Sequence, residues 1–148
     1  MFFNPKYITV SRAKLYSMLP RELVESGKVF PYLKEYRLPL DPSYIMKKSP
    51  AYKLILNPKD PEATNCVQRV RLFKGWLVKK GLGNLVGFEA VMDIPGIGEH
   101  NDVAFIDLSG PQDENGKYQL VFGNLQTRKL VPKSESDKFN IWNKGLRG

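Results

Sequence analysis

The chain has 148 residues, enough for one compact domain, and 42% of them are apolar, so it can build a hydrophobic core. Its 23 lysines and arginines against 15 acidic residues give a formal net charge of +8, which points to polyanionic partners such as nucleic acid. A single cysteine, Cys66, excludes an internal disulfide and a cysteine-based zinc site, and no run approaches the ~20 apolar residues that span a bilayer. We therefore expect an intracellular protein of a reducing compartment, with no membrane span and no small-molecule substrate.

The first twenty-one residues are basic. They hold Lys6, Arg12, Lys14 and Arg21, and no acidic residue precedes Glu22. This bias resembles that of a mitochondrial transit peptide. We accordingly expect a cytoplasmic or mitochondrial protein, in the second case with an uncleaved N-terminus.

The stretch SRAKLYSMLPRELVESG, residues 11–27, predicts two short helices. Ser11 can cap the first helix, leucine and methionine residues recur at helical spacing, and Pro20 can open the second. Gly27 can end it. We expect a broken helical segment here.

The next stretch, residues 29–61, contains six prolines and four tyrosines interleaved with lysine and arginine. Proline at this density stops helices and removes sheet donors, so we expect an extended arm. The arm could dock on a partner or wrap around the domain's own core. Residues 1–62 are thus predicted to form a basic N-terminal extension.

From Val67 onward the apolar residues alternate at period two, in short runs separated by turn residues such as Asn115-Gly116. Several short strands at this spacing favour a small antiparallel barrel over residues 63–132. Residues 133–148 are mostly polar and are expected to form an extended tail. The predicted fold is mainly β, with the helical segment and the proline-rich arm attached.

The runs VAFIDLSG, residues 103–110, and NLQTRKL, residues 124–130, resemble the strand, polar turn and closing segment of Tudor domains. More broadly, residues 67–132 look like the SH3-like barrels of Tudor and KOW-type ribosomal proteins. The resemblance implies an SH3-like barrel. Leu108 and Ser109 stand where a methyl-reading Tudor domain would offer an aromatic cage residue, so methyl-lysine reading is not implied.

No arrangement of residues predicts catalysis, a cofactor or a metal site. The chain lacks a P-loop, a nucleophile elbow and a second histidine. The acidic cluster of Asp93, Glu99, His100, Asp102 and Asp107 is interrupted by proline and glycines, which favours a solvated hairpin loop. We expect a protein that binds and does not catalyse.

The stretch RVRLFKGWLVKKG, residues 69–81, is interpreted as the first barrel strand. On a strand, Arg69 and Arg71 project on one face and could bracket phosphates, while Lys74, Lys79 and Lys80 lie near the following turn. Phe73 and Trp76 could stack on bases or belong to the core.

These features predict a non-catalytic RNA-contacting structural subunit of a large ribonucleoprotein assembly, ribosomal or organellar-ribosomal, with structured RNA (rRNA) and neighbouring proteins as partners. The alternative is a virion or other assembly subunit that acts through protein contacts. The predicted RNA-binding residues are Lys6, Arg12, Lys14, Arg21, Arg37, Lys47, Lys48, Lys53, Arg69, Arg71, Lys74, Lys79, Lys80, Arg128 and Lys129.

Overall fold

The computed structural model describes residues 6–25, 31–54, 66–94, 98–132 and 146–147, with the side chains of 91–94, 98–100 and 146–147 left aside. In chain order the elements are β1 Tyr7–Ser11, α1 Arg12–Met18, α2 Arg21–Glu25, β2 Glu35–Pro39, α3 Pro42–Lys48, a 3₁₀ turn Ala51–Lys53, α4 Cys66–Lys79, β3 Phe88–Ile94, β4 Gly98–Ile106, β5 Leu120–Asn124, β6 Lys129–Leu130 and β7 Leu146–Arg147. Most of the predicted C-terminal tail and the end of the predicted arm, residues 55–65, fall outside the described residues.

The two short helices predicted near the N-terminus are confirmed. The Oγ of Ser11 accepts a hydrogen bond from the Lys14 N–H at 3.1 Å and caps α1, and Pro20 separates α1 from α2. The residues predicted to recur on one helical face are buried: Leu15, Met18, Leu19 and Leu23.

The prediction of an extended proline-rich arm is wrong for α3. Pro42 takes the first position of this helix, where the missing N–H costs no hydrogen bond. Asp41 caps the helix by accepting from the Ser43 N–H at 3.0 Å. Ile45 and Met46 are fully buried, so this part of the chain packs on the protein's own core.

The strands form two antiparallel sheets. β1 pairs with β2, and the larger sheet has the order β6-β5-β4-β3-β7. A parallel bridge between Arg37 and Leu85 links β2 to the segment that leads into β3. The antiparallel sheet is as predicted, but no closed barrel forms among the described residues, and the SH3-like architecture is not confirmed.

The central strand β4 is buried on both faces. Ala104 and Ile106 belong to a cluster with α1, α2 and β2, whereas Val103 and Phe105 belong to a second cluster with α3 and α4. Successive side chains of a strand point to opposite faces, so the helices cover the two sides of the sheet. Asp102, also buried, is therefore not part of the solvated loop predicted for it.

The interpretation of residues 69–81 as a strand is wrong, because Cys66–Lys79 form the helix α4. The buried residues Cys66, Val70, Phe73 and Leu77 recur every three or four positions, as on one helical face. A short amphipathic run can fit both periods, and here the helical period is the one that is buried.

The helix α4 ends in the glycine turn that the sequence predicts. Gly81 has φ +74°, the Leu82 N–H donates to the Leu77 carbonyl at 2.8 Å, and the Gly81 N–H donates to the Val78 carbonyl at 3.0 Å. These two bonds form a Schellman motif, which needs a left-handed residue at Gly81. No helix in the described ranges has the length and hydropathy required to cross a membrane.

A matched pair of substitutions tests the position of α4. Val70→Ala should lower the free energy of unfolding by about 2 kcal/mol, because it deletes buried methyl groups and leaves a cavity. Val78→Ala removes the same atoms from a side chain that is 66% exposed. It should change the free energy of unfolding by less than about 0.5 kcal/mol. Urea unfolding of both variants measures the difference, and equal costs would contradict the helix as described.

Candidate nucleic-acid interface

Two half-buried tyrosines each lie against two cationic side chains. The Lys6 Nζ is 4.4 Å from the Tyr44 ring centroid, and the Lys48 Nζ is 5.7 Å from it. Around Tyr52, the Arg128 Cζ lies at 4.1 Å and the Lys53 Nζ at 5.8 Å. These six residues, Lys6, Tyr44, Lys48, Tyr52, Lys53 and Arg128, are called the tyrosine–cation surface below.

The surface is assembled from segments that are far apart in the chain. A Cβ on Gly123 would lie 2.7 Å from the sulfur of Met46, so this glycine allows α3 to approach β5 closely. Lys6 is held beside the start of α3, since its carbonyl accepts from the Leu40 N–H at 3.0 Å. The packing of α3 on β5 and β6 brings Tyr52 and Arg128 together.

Arg128 has an unusual backbone conformation. Its φ is +61°, in the left-handed region that L side chains seldom adopt. The turn is fixed by Asn124, whose carbonyl accepts from the Arg128 N–H at 2.8 Å and whose side-chain oxygen accepts from the Gln126 N–H at 2.9 Å. The turn holds the Arg128 backbone in this conformation at a cost of about 1 kcal/mol, and the guanidinium lies over the Tyr52 ring.

The cations of this surface have no acidic partner among the described residues. None of the four forms an ion pair with a carboxylate among the described residues, in contrast to Arg21, which pairs with Glu25 at 2.5 Å. The nearby carboxylate of Asp41 is already engaged in capping α3. Lys47 and Lys129, both exposed, are the chain neighbours of Lys48 and Arg128.

Burial affects the adjoining tyrosine. Burial and the neighbouring Tyr44 raise the pKa of Tyr7, while Arg37 acts in the opposite direction. Tyr7 therefore stays neutral at physiological pH. The Arg37 Nη1 in turn donates to the carbonyl of Gly81 at 3.0 Å, so this arginine holds the end of α4 to β2.

The structure separates the predicted RNA-binding residues into three groups. Six lie on or beside the tyrosine–cation surface: Lys6, Lys47, Lys48, Lys53, Arg128 and Lys129. Three exposed residues lie on α1 and α2, on the opposite side of the sheet: Arg12, Lys14 and Arg21. The remaining six lie on α4 and its C-terminal turn or support them: Arg37, Arg69, Arg71, Lys74, Lys79 and Lys80.

The outward pair predicted for Arg69 and Arg71 is wrong. Side chains two positions apart on a helix point in roughly opposite directions. Accordingly, Arg69 is only 2% exposed, whereas Arg71 is exposed. Phe73 is fully buried and cannot stack on a base, and the half-buried Trp76 packs against it with the ring centroids 6.2 Å apart. The aromatic residues of this stretch belong to the core side of α4.

Sequence reasoning missed Tyr44 and Tyr52 as members of the site. A signal for Tyr44 is present, because Tyr44 and Lys48 are four residues apart and become neighbours once residues 42–48 form a helix. No comparable signal marks Tyr52 and Arg128, which are separated by about half of the chain.

Comparisons of the chain with protein-family models, with characterised proteins and with solved structures gave no significant match. The function has therefore to be inferred from the chemistry of the site itself.

Lys74 provides a test of the electrostatics of α4. Desolvation by burial lowers the pKa of Lys74 below its ordinary 10.5, and Glu89 partly opposes this. Between the folded-state pKa and 10.5 the unfolded chain binds more protons, so this group makes the free energy of unfolding rise with pH. The wild type should gain stability relative to Lys74→Met as the pH rises through this range, and the difference should level off above 10.5.

Urea unfolding between pH 7 and 11 measures this difference. Lys14→Met, at an exposed position, is the control and should show no such trend. A difference between wild type and Lys74→Met that stays constant with pH would mean that Lys74 is well solvated.

Proposed function

We propose that the protein is a non-catalytic RNA-contacting structural subunit of a large ribonucleoprotein assembly, ribosomal or organellar-ribosomal, that holds the RNA through the tyrosine–cation surface. The observation that carries the proposal is the convergence of four cations without acidic partners among the described residues around two tyrosines. They come from three separate parts of the chain, which the fold brings together.

The chemistry of the surface suits a phosphate backbone. Lysine and arginine side chains neutralise phosphates and release condensed counterions, which supplies most of the sequence-independent affinity for nucleic acid. The net charge of +8 adds long-range attraction. Lys47 adds an exposed cation next to Lys48 that a folded RNA could contact.

The alternative, an assembly subunit of a virion or another multiprotein complex, has one observation in its favour. The outer side of α4 exposes Leu72 by 41% and Val78 by 66%. Apolar side chains on a helix surface suit a protein partner, and contacts of this kind tolerate salt. The response of binding to salt therefore separates the two functions.

Neutralising two lysines of α3 tests the proposed site. The double variant Lys47→Gln with Lys48→Gln should bind structured RNA about tenfold more weakly near 0.1 M salt, and the slope of log affinity against log salt should fall by about 1.5 to 2. Fluorescence anisotropy over a salt series measures both quantities.

The matched control is Lys14→Gln with Arg21→Gln, which removes the same charge from exposed positions on the opposite side of the sheet. It should lose much less affinity and keep most of the slope. Equal losses in both double variants would show that net charge alone drives binding, and affinity that does not change with salt would refute phosphate contacts.

A further inference from the structure

We infer that the tyrosine–cation surface recognises the phosphate backbone of base-paired RNA and does not read or stack on bases. This inference rests on the proposed function and names the class of ligand that the site takes.

A cation already lies over one face of each of the two tyrosine rings. The Arg128 Cζ lies 4.1 Å from the Tyr52 centroid and the Lys6 Nζ lies 4.4 Å from the Tyr44 centroid, distances typical of direct cation–π contact. A base cannot stack on a ring face that a cation covers. Proteins that bind single strands instead leave aromatic faces open for successive bases.

The tyrosine rings therefore serve to position the cations before a phosphate binds. A lysine or arginine that is free in solution loses side-chain entropy when it is fixed by a phosphate, and this loss opposes binding. A cation that is already held on a ring has lost part of that freedom in advance. Tyr44 and Tyr52 are thus positioning residues, and Lys6, Lys48, Lys53 and Arg128 make the contacts.

The backbone of Arg128 supports this assignment independently. The left-handed conformation of this residue closes the turn between β5 and β6 and is fixed by the hydrogen bonds of Asn124, and its guanidinium lies over Tyr52. Strain of this kind persists only where the surrounding structure determines it, and it concentrates at functional sites.

Phosphates are presented by every sequence, whereas unstacked bases occur only in loops and ends. In an RNA duplex the bases are stacked inside and the phosphates and sugars are outside. A surface of pre-positioned cations with covered rings suits that exterior. Duplexes of different sequence should therefore bind with similar affinity.

The test compares two variants of Tyr52 with two probes. Tyr52→Phe keeps the ring and serves as the control, while Tyr52→Leu removes it. The probes are a fluorescent RNA duplex and inorganic polyphosphate, which carries the charge but no bases. Anisotropy and competition measure affinity over a salt series, and urea unfolding checks that each variant is folded.

We expect Tyr52→Phe to bind like the wild type and Tyr52→Leu to lose about three- to tenfold in affinity for both probes. The salt slope of Tyr52→Leu should be unchanged, because no phosphate contact is removed. Arg128→Gly should weaken binding to both probes and lower the slope by about one. Glycine accepts φ +61° without strain, so this variant keeps the turn.

Three results would overturn the inference. A loss in Tyr52→Leu for the duplex but not for polyphosphate would show that Tyr52 or Arg128 contacts the sugars or bases of the RNA and not its phosphates alone. An unchanged affinity of Tyr52→Leu for both probes would show that the ring does not position the cation. If wild-type protein binds neither probe at low salt, the proposed function itself fails.

Discussion

The burial of β4 on both of its faces is the constraint on which the rest of the structure depends. Val103, Ala104, Phe105 and Ile106 are all at most 1% exposed, so each face of this strand must be covered by another layer. The chain before the sheet supplies both layers, with α1, α2 and β2 on one side and α3 and α4 on the other. The basic N-terminal part is consequently an integral part of the core, and its cations lie where this packing leaves them.

The sequence predicts local structure well where one residue decides it. Ser11, Pro20 and Gly81 each act through a backbone rule, and the caps and turns they predict are present. It fails where two periods compete, as in α4, and where proline density conceals a helix that starts on Pro42. In both cases the deciding term is burial against the larger sheet, of α4 on β4 and of α3 on β5 and β6, which are long-range contacts that no short window of sequence contains.

The sequence predicts the cationic residues of the candidate site, but it does not predict how the fold brings them together. A count of charged residues identifies Lys47, Lys48 and Lys53 as candidates. It does not distinguish them from Arg69, which is buried. What distinguishes them is the packing of α3 on β5 and β6, which brings Arg128 to Tyr52 across about half of the chain. Contacts at that separation depend on tertiary packing alone.

In the free protein, neighbouring cations of the tyrosine–cation surface repel each other. Lys6 and Lys48 share the Tyr44 ring, so they lie within about one Debye length of each other at 0.1 M salt and repel. Each cation–π contact at a solvated site offsets this by only about 0.5–1 kcal/mol, and the turn at Arg128 adds strain of similar size. A fold that depended on these side chains for stability alone would be better served by neutral ones. A polyanion would relieve the repulsion while the tyrosine rings and the Asn124 turn keep the cations in place. The features that cost the free protein stability would therefore favour the binding of a polyanion.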